Sequence, residues 1–459
     1  MQGIVFIKND QYHYKFDKST FELTIYGYSG SIDGIFGLTN DDTFLYRDVI
    51  TANSYENKFP IIKFYVKRIN TKYLDHIVID VLYYIETNSD DEKVDAMSFA
   101  GDELNYFYDI NKAFESNGFS DDGEIEIRVK KFDEVNKIYN FDNDDIYKNI
   151  SLNFYRKLRY GKTEILSVFT SLNLEFYTSQ NYKDIYEHYT LMYNFFRFVN
   201  YRSNIRFSSV DLKVKISNDL YKNVGSLNIF YDNKNFFIEN EKTIKKRQIK
   251  SDYLGDKIPV IIQLIKSNSL YMKHFPESSA DMRRITSARF LLVTAAFEWE
   301  CNEVYGNYKY KENNEFREVT DLIYNMLEEE KKKFTGKRKN YFNTYQKSFK
   351  YTGVSLMEKL QYVLKDNDEI LSTFIKGLFK LNNISDKEQS YKRIAERIGI
   401  QRNNFAHGQI DKEFNELVVI DFIILEWLLY SMRLKNLKFE VPIIKIMINE
   451  LFGRNYNLK

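Results

Sequence analysis

Cysteine occurs once in 459 residues, at Cys301. No intrachain disulfide can form, and a thiolate metal cluster is excluded. A lone thiol suits a reducing cytoplasm. Histidine is nearly as scarce, with five residues, and four of them (His13, His76, His188 and His274) are scattered without ligand spacing to acids. Proline occurs only four times. No long uninterrupted apolar run exists. The most apolar stretch, 417–432, contains Asp421 and Glu426 and reads as a buried helix, not a membrane span. The first ten residues show no charged segment leading into an apolar run, so no signal peptide is expected.

Familiar catalytic signatures are missing as well. Gly161-Lys162-Thr163 has the look of a P-loop end, but the position of the required earlier glycine holds Arg156. No Gly-x-Ser-x-Gly elbow is present. Neither a metal nor a nucleotide cofactor is therefore expected. Excess charge is lacking too: 66 basic against 65 acidic residues leave a formal charge of +1. Any nucleic-acid surface must then arise from local clustering.

What is present describes a folded chain. Hydrophobic residues make up 44% and aromatics 17%, with 37 Tyr and 37 Phe. The length accommodates at least two domains with real cores. Up to about residue 240, short alternating runs rich in Tyr, Phe, Ile, Val and Thr recur between Asn, Asp, Gly and Ser clusters; 21–26, 61–66, 77–82, 124–129, 172–177 and 212–216 are examples. That is a repeated strand signature, interrupted by one helix near 182–198. From about residue 257 the period turns helical, over 260–274, 281–305, 317–332, 355–365, 369–381, 387–398 and 414–434. The expected architecture is α+β and multidomain. A β-sandwich-like domain (1–245) leads through a linker and connecting helix (246–280) into an all-α bundle (281–459). The basic segment 242–250 reads as a solvated connection.

The most informative segment is Gln401-Arg402-Asn403-Asn404-Phe405-Ala406-His407-Gly408. A histidine moves protons near neutral pH. An arginine holds phosphate in a planar, permanently charged fork. Asn403 can orient either one. Together they make a compact kit for cutting RNA without a metal. The bland alternative is a surface histidine near a helix end. Five residues amount to about 140° of helical rotation, so Arg402 and His407 do not stack on one face of a regular helix. Either the segment sits at a helix start, or the arginine bends round, or two copies meet.

Two further features bear on this site. The stretch 331–342, with Lys337, Arg338 and Lys339 among aromatics, has the composition to neutralise phosphates and stack bases, or to be a solvated helix end and loop. Glu298 lies on an otherwise apolar helical stretch, 288–300, where an acid wants a partner. It is open to pairing with Arg402, to a structural ion pair, or to exposure.

The C-terminal half resembles the HEPN domains, specifically the Apea-type group. Arg402-Asn403-Asn404-Phe405-Ala406-His407 looks like that family's Arg-x4-His ribonuclease motif with its polar second residue. The helix carrying Arg289 through Glu298 looks like its first helix with its acid. The β-rich half is similar, in architecture and order, to the domain that accompanies Apea-type HEPN domains. The resemblance implies a HEPN-like bundle and a metal-independent endoribonuclease, often dimeric, in bacterial antiphage defence by abortive infection. Arg402, Asn403, His407 and Glu298 would be its catalytic set, and Lys337, Arg338 and Lys339 candidate RNA contacts. RNA would be cut by its own 2′-hydroxyl to 2′,3′-cyclic phosphate and 5′-hydroxyl ends, with transfer RNA the substrate by analogy. The expected partners are RNA, a second copy of the chain through the helical half, and a phage-derived protein trigger on the β-rich half; the expected location is cytoplasmic, with no membrane. Two rivals remain: a degenerate HEPN-like module that binds RNA or protein without cutting, and a carbohydrate-binding sandwich fused to a helical dimerisation domain.

Overall fold

A computed structural model describes residues 1–7, 10–27, 49–55, 59–72, 75–119, 125–158, 166–217, 220–231, 239–306, 314–350, 355–409 and 414–454. The chain divides into two compact units. One comprises 1–268 with 275–282, and the other 269–274 with 283–459. The first is β-rich and the second helical, so the two-part α+β organisation holds.

Fourteen strands are described: β1 (Gln2–Ile7), β2 (Asp10–Asp17), β3 (Glu22–Tyr26), β4 (Val49–Ser54), β5 (Ile61–Lys72), β6 (His76–Thr87), β7 (Lys93–Ala100), β8 (Phe114–Phe119), β9 (Ile125–Val129), β10 (Lys137–Asn140), β11 (Tyr147–Leu158), β12 (Leu166–Asn181), β13 (Ser209–Ser217) and β14 (Leu220–Ile229). Twelve form one antiparallel sheet in the order β10-β11-β12-β7-β13-β14-β6-β3-β2-β1-β4-β5, and β5 pairs back onto β6. Six strands therefore close into a barrel, where two packed sheets of a sandwich were expected. The reason is the length of β6. Its first half pairs with β3 and its second half with β14, while its other edge pairs with β5 along most of its length. Register shifts in the β5–β6 ladder bend the pair enough to close the ring. Alternate residues fill the barrel: Val5, Phe16, Ile25, Ile62, Phe64 and Ile79 are all buried in one cluster.

The rest of the sheet is open. The helix Ile185–Asn200 covers its apolar face, with Tyr186 stacked on Tyr83 of β6 at 4.9 Å and His188 against Phe176 of β12 at 4.8 Å. His188 on this helix meets the Tyr147 hydroxyl of β11 at 2.8 Å, and burial pushes its imidazole down to about 4. This histidine is neutral at physiological pH and belongs to the core. The segment 242–250 is not merely a solvated connection. Ile244, Gln248 and Ile249 are buried in this unit, and the Gln248 amide donates to the Glu103 carbonyl at 3.0 Å.

In the helical unit, Ser287–Tyr305, Leu356–Asp366, Asp368–Leu381, Tyr391–Ala406 and Val441–Leu451 surround the long helix Glu416–Asn436 or one another. The basic stretch expected as a helix end and loop continues into a helix, Gly336–Lys350, which pairs with Asn314–Lys331 through a Lys331–Gln346 hydrogen bond of 3.1 Å, while its Phe342 stacks on Phe334 of the turn between them. Among the described residues no helix is long and apolar enough to cross a membrane.

The pairing of β14 with β6 makes a specific demand at Gly225. A Cβ there would lie 2.3 Å from the Glu86 carbonyl oxygen, which is backbone and cannot step aside. Gly225→Ala is expected to lower stability by about 1–3 kcal/mol, read as a fall in the thermal midpoint. An unchanged midpoint would contradict this strand pairing.

Candidate functional site

The helix Tyr391–Ala406, hereafter the motif helix, starts at Ser390, whose side chain accepts from the Arg393 amide. Its buried stripe is Ile394, Ile398, Gln401 and Phe405, spaced four, three and four residues apart. The stripe runs straight through the motif, so Arg402 and Asn403 are helical and His407 is the C-cap. The motif therefore lies at a helix end, not at a helix start. Gly408 follows with φ +80°, its amide bonds to the Phe405 carbonyl, and the Gln409 amide bonds to the Asn404 carbonyl. These two bonds form a Schellman turn, which stops the helix one residue after His407 starts to leave it.

Packing fixes the last turn. Phe405 sits edge-on to Phe290 at 5.8 Å and to Phe414 at 5.1 Å. Phe290 belongs to the helix Ser287–Tyr305, which also carries Glu298. One turn before the motif, Arg397 bonds both oxygens of Asp421 on the long helix, at 2.6 and 2.9 Å, and reaches Glu388 at 2.8 Å. This fork holds the motif helix against the long helix in one rotation.

The resulting geometry brings three of the four candidate catalytic side chains together. Arg402 Nη2 lies 3.4 Å from Glu298 Oε2, and its Nη1 lies 3.3 Å from Asn403 Oδ1. Both contacts are long, and the Arg402 and Glu298 side chains are 35% and 33% exposed, so the pair is a loosely held surface feature and not a buried lock. Asn403 lies on the arc between Arg402 and His407, about 100° from the first and about 40° from the second. His407 is exposed, and among the described residues its ring makes no hydrogen bond. Lys337, Arg338 and Lys339 are exposed on Gly336–Lys350, and Arg338 lies over the Phe334 ring at 5.9 Å. No hydrogen bond or ion pair among the described residues links these three to Arg402 or His407.

The acid with a burial problem on Ser287–Tyr305 proves to be Glu300. It is buried, accepts the Tyr271 amide at 3.0 Å and pairs with Arg433 of the long helix. Arg289 on the same helix pairs with buried Glu426. No group of three or more metal-ligating side chains occurs among the described residues. The remaining Arg402 N–H donors can hold an anion, and the exposed imidazole of His407, five residues along the chain, is a group able to transfer protons.

Burial pushes the Asp421 carboxyl up to about 6 from 3.8, opposed by the Arg397 hydrogen bonds and charge. The folded state then binds this proton more tightly than the unfolded chain. The contribution of Asp421 to stability is full below about pH 4 and is lost as pH rises through about 6. Denaturant titrations across that range should show about 3 kcal/mol of such loss in the wild type and none of this component in Asp421→Asn, the difference between the two isolating the residue. Parallel curves for the two proteins would contradict the assignment.

No protein-family model, no curated protein and no solved structure matches this chain.

Proposed function

We propose that the helical unit is a metal-independent endoribonuclease of the HEPN kind, acting in an antiphage abortive-infection system in the cytoplasm and gated by the β-rich unit through a phage-derived protein trigger. The observation that carries this reading is the placement of Arg402 and Asn403 on the exposed last turn of a helix that His407 caps, with Glu298 alongside. Glu298 and Asn403 each accept from one guanidinium nitrogen. That orientation leaves the remaining N–H donors for a phosphate.

In the proposed reaction the RNA 2′-oxygen attacks the adjacent phosphorus and loses its proton to an imidazole. The bond from phosphorus to the 5′-oxygen breaks, and that oxygen takes up a proton. The products are a 2′,3′-cyclic phosphate and a 5′-hydroxyl. Arg402 neutralises the charge that develops on the phosphoryl oxygens. One His407 per chain serves one proton transfer at a time, so a second copy supplies the other across a two-fold axis. Exposed Leu292 and Trp299 lie seven residues apart on one face of Ser287–Tyr305, beside Glu298, and exposed Ile400 lies in line with His407 on the motif helix. These three side chains give the proposed dimer an apolar contact around the site.

A non-catalytic, RNA- or protein-binding module is the second reading. It is favoured by one observation: Arg402 already has an acid partner, while among the described residues the His407 ring makes no hydrogen bond.

Expression of the full chain with and without phage separates the two. Under the nuclease reading, Arg402→Ala and His407→Ala remain folded and lose RNA cleavage by at least about a hundredfold, together with protection. Retained protection in both variants favours the binding module. Sedimentation gives a second check. The wild type is expected as a dimer or larger, and the pair Trp299→Glu with Ile400→Glu as a monomer with reduced cleavage; a monomeric wild type with full activity would sink the composite site.

A further inference from the structure

We infer that the polar face of the open sheet in the β-rich unit is a binding trough for an uncharged, polyhydroxylated ligand of the carbohydrate class. This is independent of the nuclease reading. The trough, a cavity of about 550 Å³, lies opposite the face covered by the helix Ile185–Asn200 and falls within the range of small-ligand pockets.

Strand register builds it. Asn149 of β11 pairs with Glu175 of β12, then Ala96 of β7, then Lys213 of β13. The next row is Ser151, Asn173, Ser98 and Asp211. The middle strand β7 contributes only small side chains here, so the floor is low. Tyr155, exposed beyond the second row, and Tyr221 stand at its margins.

The polar groups are preorganised. Lys213 Nζ donates to Asn173 Oδ1 at 3.1 Å, which turns the Asn173 amide nitrogen toward Ser151 Oγ and the Tyr155 hydroxyl, at 3.3 and 3.4 Å. Asn149 Nδ2 donates to Glu175 Oε2 at 3.0 Å. A carboxylate only accepts, so this bond fixes the amide orientation and leaves Asn149 Oδ1 facing away from Glu175. Asn149 is 7% exposed, and its Oδ1 has no partner.

Charge argues against phosphate. Both lysines of the lining are engaged, Lys148 with Glu175 at 3.2 Å and Lys213 with Asn173. A nucleic-acid groove would present free cations along its length. Amides that both donate and accept, with tyrosine hydroxyls at the rim, match the vicinal hydroxyls of a sugar; the Tyr155 ring itself stacks on Phe169 at 5.9 Å with Lys213 Nζ over it at 5.7 Å.

The test uses the purified full chain and a panel of neutral mono- to hexasaccharides of glucose, mannose, galactose, xylose and N-acetylglucosamine. Saturation-transfer NMR detects binding, and calorimetry measures it. The expected result is binding of at least one series, weakened about tenfold or more in Asn173→Ala and in Tyr155→Ala, with an unchanged thermal midpoint for rim residue Tyr155. His407→Ala should bind sugar as the wild type does, which keeps this outcome separate from that of the nuclease. The inference is overturned if no series binds, if Asn173→Ala and Tyr155→Ala bind as the wild type does, or if single-stranded RNA binds instead and is lost in those variants. It is also overturned if the variants change only the oligomeric state, because the face would then bury protein.

Discussion

Three ionised positions on one buried helix organise the helical unit. Asp421, Glu426 and Arg433 of Glu416–Asn436 are all buried, and an isolated charge in such a place is untenable. Each is met by an opposite charge: Arg397 from the motif helix, and Arg289 and Glu300 from Ser287–Tyr305. Hydrophobic packing alone would let these helices slide or rotate against a face of Ile, Leu and Phe. The ion pairs do not, because each has one satisfactory register. The helices that bear Arg402 and Glu298 are thus the two clamped to the long helix by charge, and the loose contact between Arg402 and Glu298 is set by the tighter ones beneath it.

The β-rich unit depends on a comparable sharing. β6 is a stave of the barrel in its first half and a strand of the open sheet in its second, with β5 along its other edge. One twelve-residue strand therefore sets the twist of both parts. The apolar face of the open sheet is consumed by a helix, and what is left on the other face is polar by alternation.

The periodic parts of this architecture were legible in the sequence. The helix expected over 369–381 is Asp368–Leu381, and that expected over 414–434 is Glu416–Asn436. The motif helix was read as ending at 398, because the polar run from Gln401 to Asn404 masks the stripe that Phe405 completes. The basic helix Gly336–Lys350 has only a sparse aromatic stripe, Phe342, Tyr345 and Phe349, set among lysines and asparagines, and its period was missed for that reason. Barrel closure leaves no local mark: alternation is the same in a sandwich and in a barrel, and the difference lies in long-range β5–β6 register. At the candidate site, the chemical type of each residue was legible from Arg402 to His407, whereas the helix-ending turn at Gly408 and the burial of Glu300 in place of Glu298 needed three dimensions. The polar rows on β11 and β12 follow a period of two, as Asn149, Ser151 and Asn153 do, but their alignment across four strands could be seen only once the strands were paired.

Closure of the barrel also bears on solubility. A linear twelve-stranded sheet offers two terminal strands to any neighbouring chain, and each is a template for unwanted β-pairing. Here one end of the strand order folds back onto β6 and is spent. Among the described residues, the terminal strand of this sheet that remains is β10, four residues long, opening with a lysine and exposed at three of its four positions. A strand that short and that wet is a poor seed for intermolecular sheet growth, so a chain with 37 tyrosines and 37 phenylalanines can carry a very large sheet at little risk of edge-to-edge polymerisation.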